Sequence, residues 1–175
     1  CQVNDLFWKS IKACIQAGSV PDVEMSIELV PVDYVTRALV YLSRRPESLG
    51  KAFHIFNDHP LLLSDLVSQM RELGYQIKRL KYDEWRAEQA HLFERSSEAS
   101  DVQALALIFP QENRSAGADG DSGASGPDFD DQNTREGLAG TAIVCPRITS
   151  ELLRTYFSYF IHKGFLEAPE QLKVK

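Results

Sequence analysis

Cysteines are scarce in this sequence, and none are paired. Cys1, Cys14 and Cys145 are the only three in 175 residues, with no C-x-x-C spacing. An odd, scattered set builds neither a disulfide framework nor a cysteine zinc site. Reduced thiols in a cytosolic setting follow. Long apolar runs are missing too. No stretch reaches the ~20 apolar residues that a membrane-spanning helix needs, and no secretory leader is legible. Basic runs are absent beyond pairs such as Arg44 and Arg45. Lys and Arg number 19 against 25 Asp and Glu, a formal net charge of −6. Such a chain is a poor match for nucleic acid, whose recognition rests on cationic contacts to phosphate.

The familiar catalytic signatures are also lacking. There is no G-x-S-x-G elbow. His54, His59, His91 and His162 contain no H-x-x-x-H pair, so no metal site is expected. Cys145 precedes Pro146 without a recognisable histidine partner and reads as a structural thiol. The pair at Y-x-x-x-K spacing, Tyr159 and Lys163, falls on a terminal helical pattern beside Phe160 and reads as packing. Nothing assembles a nucleophile, a base and an orienting group.

What is present is ordinary globular material, 43% hydrophobic and 25% charged, in a chain long enough to bury a core. "NDLFWKSIKACIQAG" repeats apolar residues at helical spacing, with Asn4 or Asp5 as cap and Gly18 as stop. "SIELVPVD" reads as extended up to about Val30, because Pro31 disfavours helix before it. "DYVTRALVYLSRR" reads as a helix capped by Asp33. "KAFHIFN" alternates and reads as a strand. A helix over about 62–73 stops at Gly74, and "QIKRLKY" gives a third strand. "DEWRAEQAHLFERS" and "SEASDVQALALIF" read as helices, with Trp85 in the core. "TSELLRTYFSYFIHKGF" is an amphipathic helix closed by Gly164. The sum is a small mixed α/β fold, mainly helical, with about three short strands, which is too few for a complete doubly wound domain.

Residues 117–126, "GADGDSGASG", spell a pattern close to the glycine motif of dinucleotide-binding folds. The context fails the comparison. No strand precedes it, Pro127 and three aspartates follow it, and those acids would repel a pyrophosphate. The calcium-loop pattern is not met either. Residues 111–137 are therefore read as a flexible acidic Gly/Ser/Asp-rich loop. It divides a lobe over 1–110 from a strand and helix over 138–169, with a tail at 170–175.

Five stretches in order carry a resemblance: "CQVNDLFWKSIKACIQAGSVPD", "IELVPVDYVTRALVYLS", "GKAFHIFN", "LGYQIKRLKYDEW" and "CPRITSELLRTYFSYFIHKGFLEAP". Together they resemble the carboxy-terminal half of thioester reductase domains. These are the terminal reductases of nonribosomal peptide synthetases, related to carboxylic acid reductases and placed among extended short-chain dehydrogenases/reductases. Only the Gly/Asp/Ser stretch falls outside the resemblance. "PVDYV" alone is unspecific, since many extended short-chain enzymes carry a similar turn.

The resemblance implies a substrate-binding lobe that lacks the Rossmann half, in a chain that reads as a piece of something longer. It implies NADPH in the full-length enzyme, bound upstream, and none for this piece, which is expected to be inactive alone. Catalytic and cofactor-binding residues are accordingly expected upstream. The implied partners are a carrier-protein phosphopantetheine thioester and the upstream Rossmann half, with no nucleic acid and no membrane. Asn4, Asp5, Pro31, Val32, Asp33 and Tyr34 are the candidate substrate-binding residues. Lys9, Lys12, Arg37, Arg44 and Arg45 are candidates for docking an acidic carrier. Two other readings stay open: the lobe of another extended short-chain reductase, or a non-catalytic docking module for a carrier protein.

Overall fold

The computed structural model describes residues 5–95, 105, 108–109 and 130–169. The chain divides into two compact units: residues 1–24 with 63–122 and 150–175, and residues 25–62 with 123–149. Among the described residues the fold is mixed and mainly helical, as the sequence predicts. Four short strands form two separate pairs.

In the first unit, α1 spans Leu6–Ala17. The Asp5 carboxylate accepts from Phe7 N at 3.0 Å and Trp8 N at 3.3 Å, satisfying two donors that a helix start leaves open. Gly18 stops the helix at φ 68°, a conformation open to glycine. The chain then enters β1, Ser19–Pro21, which pairs in parallel with β4, Lys78–Leu80. Helix α3, Leu63–Glu72, buries Leu63, Leu66, Val67 and Met70, an i, i+3, i+4, i+7 stripe.

Helix α4, Tyr82–Arg95, sets Trp85 against Tyr82 and Phe109, with ring centroids 5.9 and 5.3 Å away. Trp85 is core, as expected. The last helix, labelled α6, spans Ser150–His162 and buries Leu153, Phe157 and Phe160. Trp8 packs on Tyr156, Phe157 and Phe160 at 4.5–6.0 Å between centroids. Helix α6 closes with paired bonds, Gly164 N to Ile161 O and Phe165 N to Phe160 O, both 2.9 Å.

In the second unit, β2 (Ser26–Ile27) pairs antiparallel with β3 (Leu61–Leu62). Helix α2, Val32–Ser43, turns Tyr34, Ala38 and Leu42 onto Leu138, with Phe53, Ile55 and Ile143 around them. Three expectations need correction. Asp33 is not the cap of α2. Pro31 holds that position in extended conformation, its carbonyl accepts from Tyr34 N and Val35 N, and Asp33 falls in the first turn. Proline's fixed φ presets the helix entry two residues earlier.

"KAFHIFN" is extended but joins no ladder. Side chains bond its backbone instead: Asn133 Nδ2 donates to Ala52 O at 2.9 Å, and Thr134 Oγ1 to His54 O at 2.8 Å. Those two residues belong to α5, Gln132–Leu138, a helix inside the stretch read as loop. Asp131 O accepts from Thr134 N and Arg135 N, Asp130 Oδ1 accepts from Gln132 N, and Thr134 and Leu138 are buried. Local capping and burial thus win over a composition poor in apolar residues. The glycine stretch at 117–126 lies outside the described residues.

Gly137 has a packing reason. A Cβ there would stand 2.6 Å from Leu42 Cδ2 and 3.3 Å from Phe53 Cε1. The missing side chain lets α5 approach α2 closely.

Candidate functional site

The second unit encloses a cavity of about 340 Å³. Four local pieces build its wall. Helix α2 contributes Tyr34, the extended run and turn contribute His54 and residues 56–59, α5 contributes Asp131, Thr134, Arg135 and Leu138, and the following segment contributes residues through Cys145.

Asn57 holds these pieces in register. Its side chain is nearly fully buried, and its Nδ2 donates to Leu29 O at 3.0 Å and Pro146 O at 3.4 Å. Its Oδ1 accepts from His59 N at 3.0 Å, an Asx turn that places Asp58 at the tip. His54 Nδ1 must donate to Asp130 O, 2.7 Å away, because a carbonyl only accepts. Arg135 pairs with Asp131 at 2.9 Å, one helical turn apart.

The electrostatics keep the two acidic hydrogens of the cavity in place. Burial pushes the Tyr34 phenol up from its ordinary range, with Cys145, Asp58 and Asp131 adding to the effect. Burial also pushes the Cys145 thiol up, helped by Asp58 and Asp33. Nearby anions and a dry environment both disfavour a second anion. At neutral pH, Tyr34 is therefore a hydroxyl donor, and Cys145 is a thiol rather than a nucleophilic thiolate. The site can bind and orient; no nucleophile–base pair is assembled in it. Among the described residues, no group of three His, Cys, Asp or Glu is placed to hold a metal ion.

The six candidate residues separate. Asn4 lies outside the described residues. Asp5 caps α1 in the first unit. In the second unit, Pro31 is buried at the start of α2, Val32 is 73% exposed, and Asp33 pairs with Arg37 at 3.5 Å on the surface. Of the five that are described, only Tyr34 lines the cavity. The basic candidates also divide, with Lys9 and Lys12 in the first unit and Arg37, Arg44 and Arg45 in the second. In the first unit, Lys163 follows α6 and sits over the Tyr159 ring at 5.9 Å; neither residue is among those lining the cavity.

Sequence reasoning missed His54, Asn57, Asp58 and the α5 residues. One local signal existed. "FNDHP" places an Asn two residues before a backbone N–H that it can accept from, as Asx turns require. No helix among the described residues is long and apolar enough to cross a membrane.

No family model matches the chain. The isonitrile lipopeptide synthase of Streptomyces coeruleorubidus is 33% identical over 173 residues, which is 95% of this chain and 11% of that protein. A crystal structure of the terminal R domain from the myxalamid PKS-NRPS biosynthetic pathway shares the fold at a TM-score of 0.78 and 33% identity. That match covers 97% of this chain and 41% of the other. A thiolation-reductase di-domain from an archaeal non-ribosomal peptide synthetase matches in fold at a TM-score of 0.68 and 20% identity, covering 94% and 32%. The chain spans between 3% and 12% of the curated relatives it matches along most of its length.

Proposed function

Since the chain belongs with the terminal reductase (R) domains of nonribosomal peptide synthetases, we propose that it is the substrate-binding subdomain of an NADPH-dependent thioester reductase. The complete enzyme, in this reading, releases a carrier-protein-bound acyl or peptidyl thioester as an aldehyde or an alcohol. Its partners are the phosphopantetheine thioester and the Rossmann half of the same polypeptide, and it works in the cytoplasm without nucleic acid or membrane. The observation that supports this most is the fold shared with a terminal R domain at 33% identity over 97% of the chain.

The chemistry fixes what this portion must do. A thioester becomes an aldehyde by gaining one hydride and one proton and expelling a thiol. A second hydride and proton give the alcohol. Productive transfer needs the carbonyl held at close range and shielded from water. The cavity of the second unit suits the chain that flanks the thioester. Tyr34 keeps its proton at neutral pH and can donate to a carbonyl oxygen, while Leu138 and Ile143 supply apolar wall. In this reading the dinucleotide is held by the Rossmann half of the same polypeptide. No step of the hydride transfer is assigned to the described residues.

The test compares the part with the whole. The 175-residue chain titrated with NADPH should leave nicotinamide fluorescence unchanged and consume no NADPH with a loaded carrier. The complete enzyme should bind NADPH and consume it. Tight NADPH binding by the chain alone would overturn the reading.

A further inference from the structure

At the proposed seat of the thioester-bearing chain, the Tyr34 hydroxyl and the Asp58 carboxylate have no side-chain hydrogen bond or ion pair among the described residues. Tyr34 is only 6% exposed, lines the cavity, and its hydroxyl makes no hydrogen bond with a described residue. Tyr34, Asp58, Asp131 and Cys145 all line the same cavity. Asp58 sits at the tip of the turn that Asn57 fixes, and among the described residues no Lys, Arg or His forms an ion pair with it.

Most of the other polar groups of the wall are engaged, the exposed His59 ring being an exception among the described residues. Asp131 holds Arg135, Thr134 donates to His54 O, Thr141 donates to Leu138 O at 2.7 Å, and Asn57 spends both ends of its amide. One O–H donor, Tyr34, and one carboxylate acceptor, Asp58, are thus open to a ligand on the same wall, beside the His59 ring. The Tyr34 hydroxyl is not a fully buried atom and can donate into the cavity, and a carboxylate gains most from a ligand N–H. A secondary amide, the group that recurs along a peptidyl chain, offers one acceptor and one donor side by side. An ester offers the acceptor alone.

We propose that this cavity is a secondary-amide subsite, in which Tyr34 donates to the amide carbonyl and Asp58 accepts from the amide N–H. The inference rests on the reading of the cavity as the seat of the thioester-bearing chain. The amide sits either on the thiol side of the thioester or on its acyl side, and the same pocket chemistry serves both. Tyr34 and Asp58 then select chains that carry an amide near the reacting carbonyl over plain fatty acyl chains.

The test is an NMR titration of the 175-residue chain with two matched pairs of small thioesters. The thiol-side pair is S-acetyl-N-acetylcysteamine and its oxygen isostere, 2-acetoxyethyl thioacetate. The acyl-side pair is the S-methyl thioester of N-acetylalanine and that of 2-acetoxypropionic acid. In one pair the amide should bind about tenfold more tightly than the ester, a typical loss for a hydrogen bond to a charged group. That pair identifies the side. Tyr34→Phe and Asp58→Ala should each bring the amide to within about twofold of its ester. Tyr34→Phe keeps the ring in its packing, and Asp58 is exposed, so both variants retain the wild-type amide dispersion. Equal binding of amide and ester, or an amide preference that survives both substitutions, overturns the subsite while the cavity reading stands. Absence of shifts at cavity residues with all four thioesters overturns both.

Discussion

The two units are stabilised in different ways. The first is built on large apolar side chains in regular elements. Trp8, Phe157 and Phe160 stack within it, Leu66 and Met70 are fully buried, and its helices α3 and α6 end in the same glycine-closed turn at Gly74 and Gly164. The second has a thin core of Tyr34, Ala38, Leu42 and Leu138, ringed by partly buried residues. Its extended run over residues 51–57 is held by side chains reaching backbone carbonyls rather than by a strand partner. Dense apolar packing gives rigidity even with Gln69 Oε1 and Trp85 Nε1 buried in it without a partner among the described residues, and a thin core with side-chain braces leaves room for a cavity. A binding site belongs in the second kind of structure, since sites need open polar groups on a fixed frame.

The largest effect that would break this comparison is in the first unit. Phe157→Ala removes a fully buried ring and should cost about 3–5 kcal/mol in urea unfolding. A loss below about 1 kcal/mol would mean the aromatic cluster is not the main support. In the second unit, Gly137→Ala should cost about 1–3 kcal/mol, because the new methyl would press on Leu42 and Phe53. The same change should shift NMR resonances of the cavity wall, and unchanged resonances would uncouple the α5–α2 contact from the site.

A smaller effect separates the units by pH. Burial pushes the Cys14 thiol of the first unit from 9.0 up to about 12. The folded state therefore holds that proton more tightly than the unfolded chain does. The resulting stability is fully present below about pH 9 and is lost as pH rises through about 12. Cys14→Ala should remove this part of the alkaline slope in urea midpoints measured across that window. An unchanged slope would place the alkaline loss elsewhere.

Much of the first unit is legible in the sequence. Apolar spacing locates α1, α3 and α6, and Gly18, Gly74 and Gly164 mark their ends because those positions adopt positive φ. β1 and β3 are not legible. They are three and two residues long, and β1 finds its partner β4 nearly sixty residues away. The site is less legible still. Residues 54–59 meet residues 131–145 through side-chain-to-backbone bonds, which leave no periodic trace. Helix α5 was hidden because Asp, Gln, Asn and Thr, the residues that cap and brace it, are also the residues of loops. The "PVDYV" turn offers Tyr34 as a candidate, and the residues that share its cavity come together only in three dimensions.

The central claim, that the cavity of the second unit seats the thioester-bearing chain, is tested most directly by closing its mouth in the complete enzyme. Val144 lines the cavity and is 70% exposed, so Val144→Trp adds an indole there with little cost to the fold. With a carrier-bound thioester, kcat/KM should fall on the order of 10²-fold, as misplacement of a reacting group can produce, while NADPH affinity stays as in wild type. Unchanged kcat/KM with the indole in place would contradict the account.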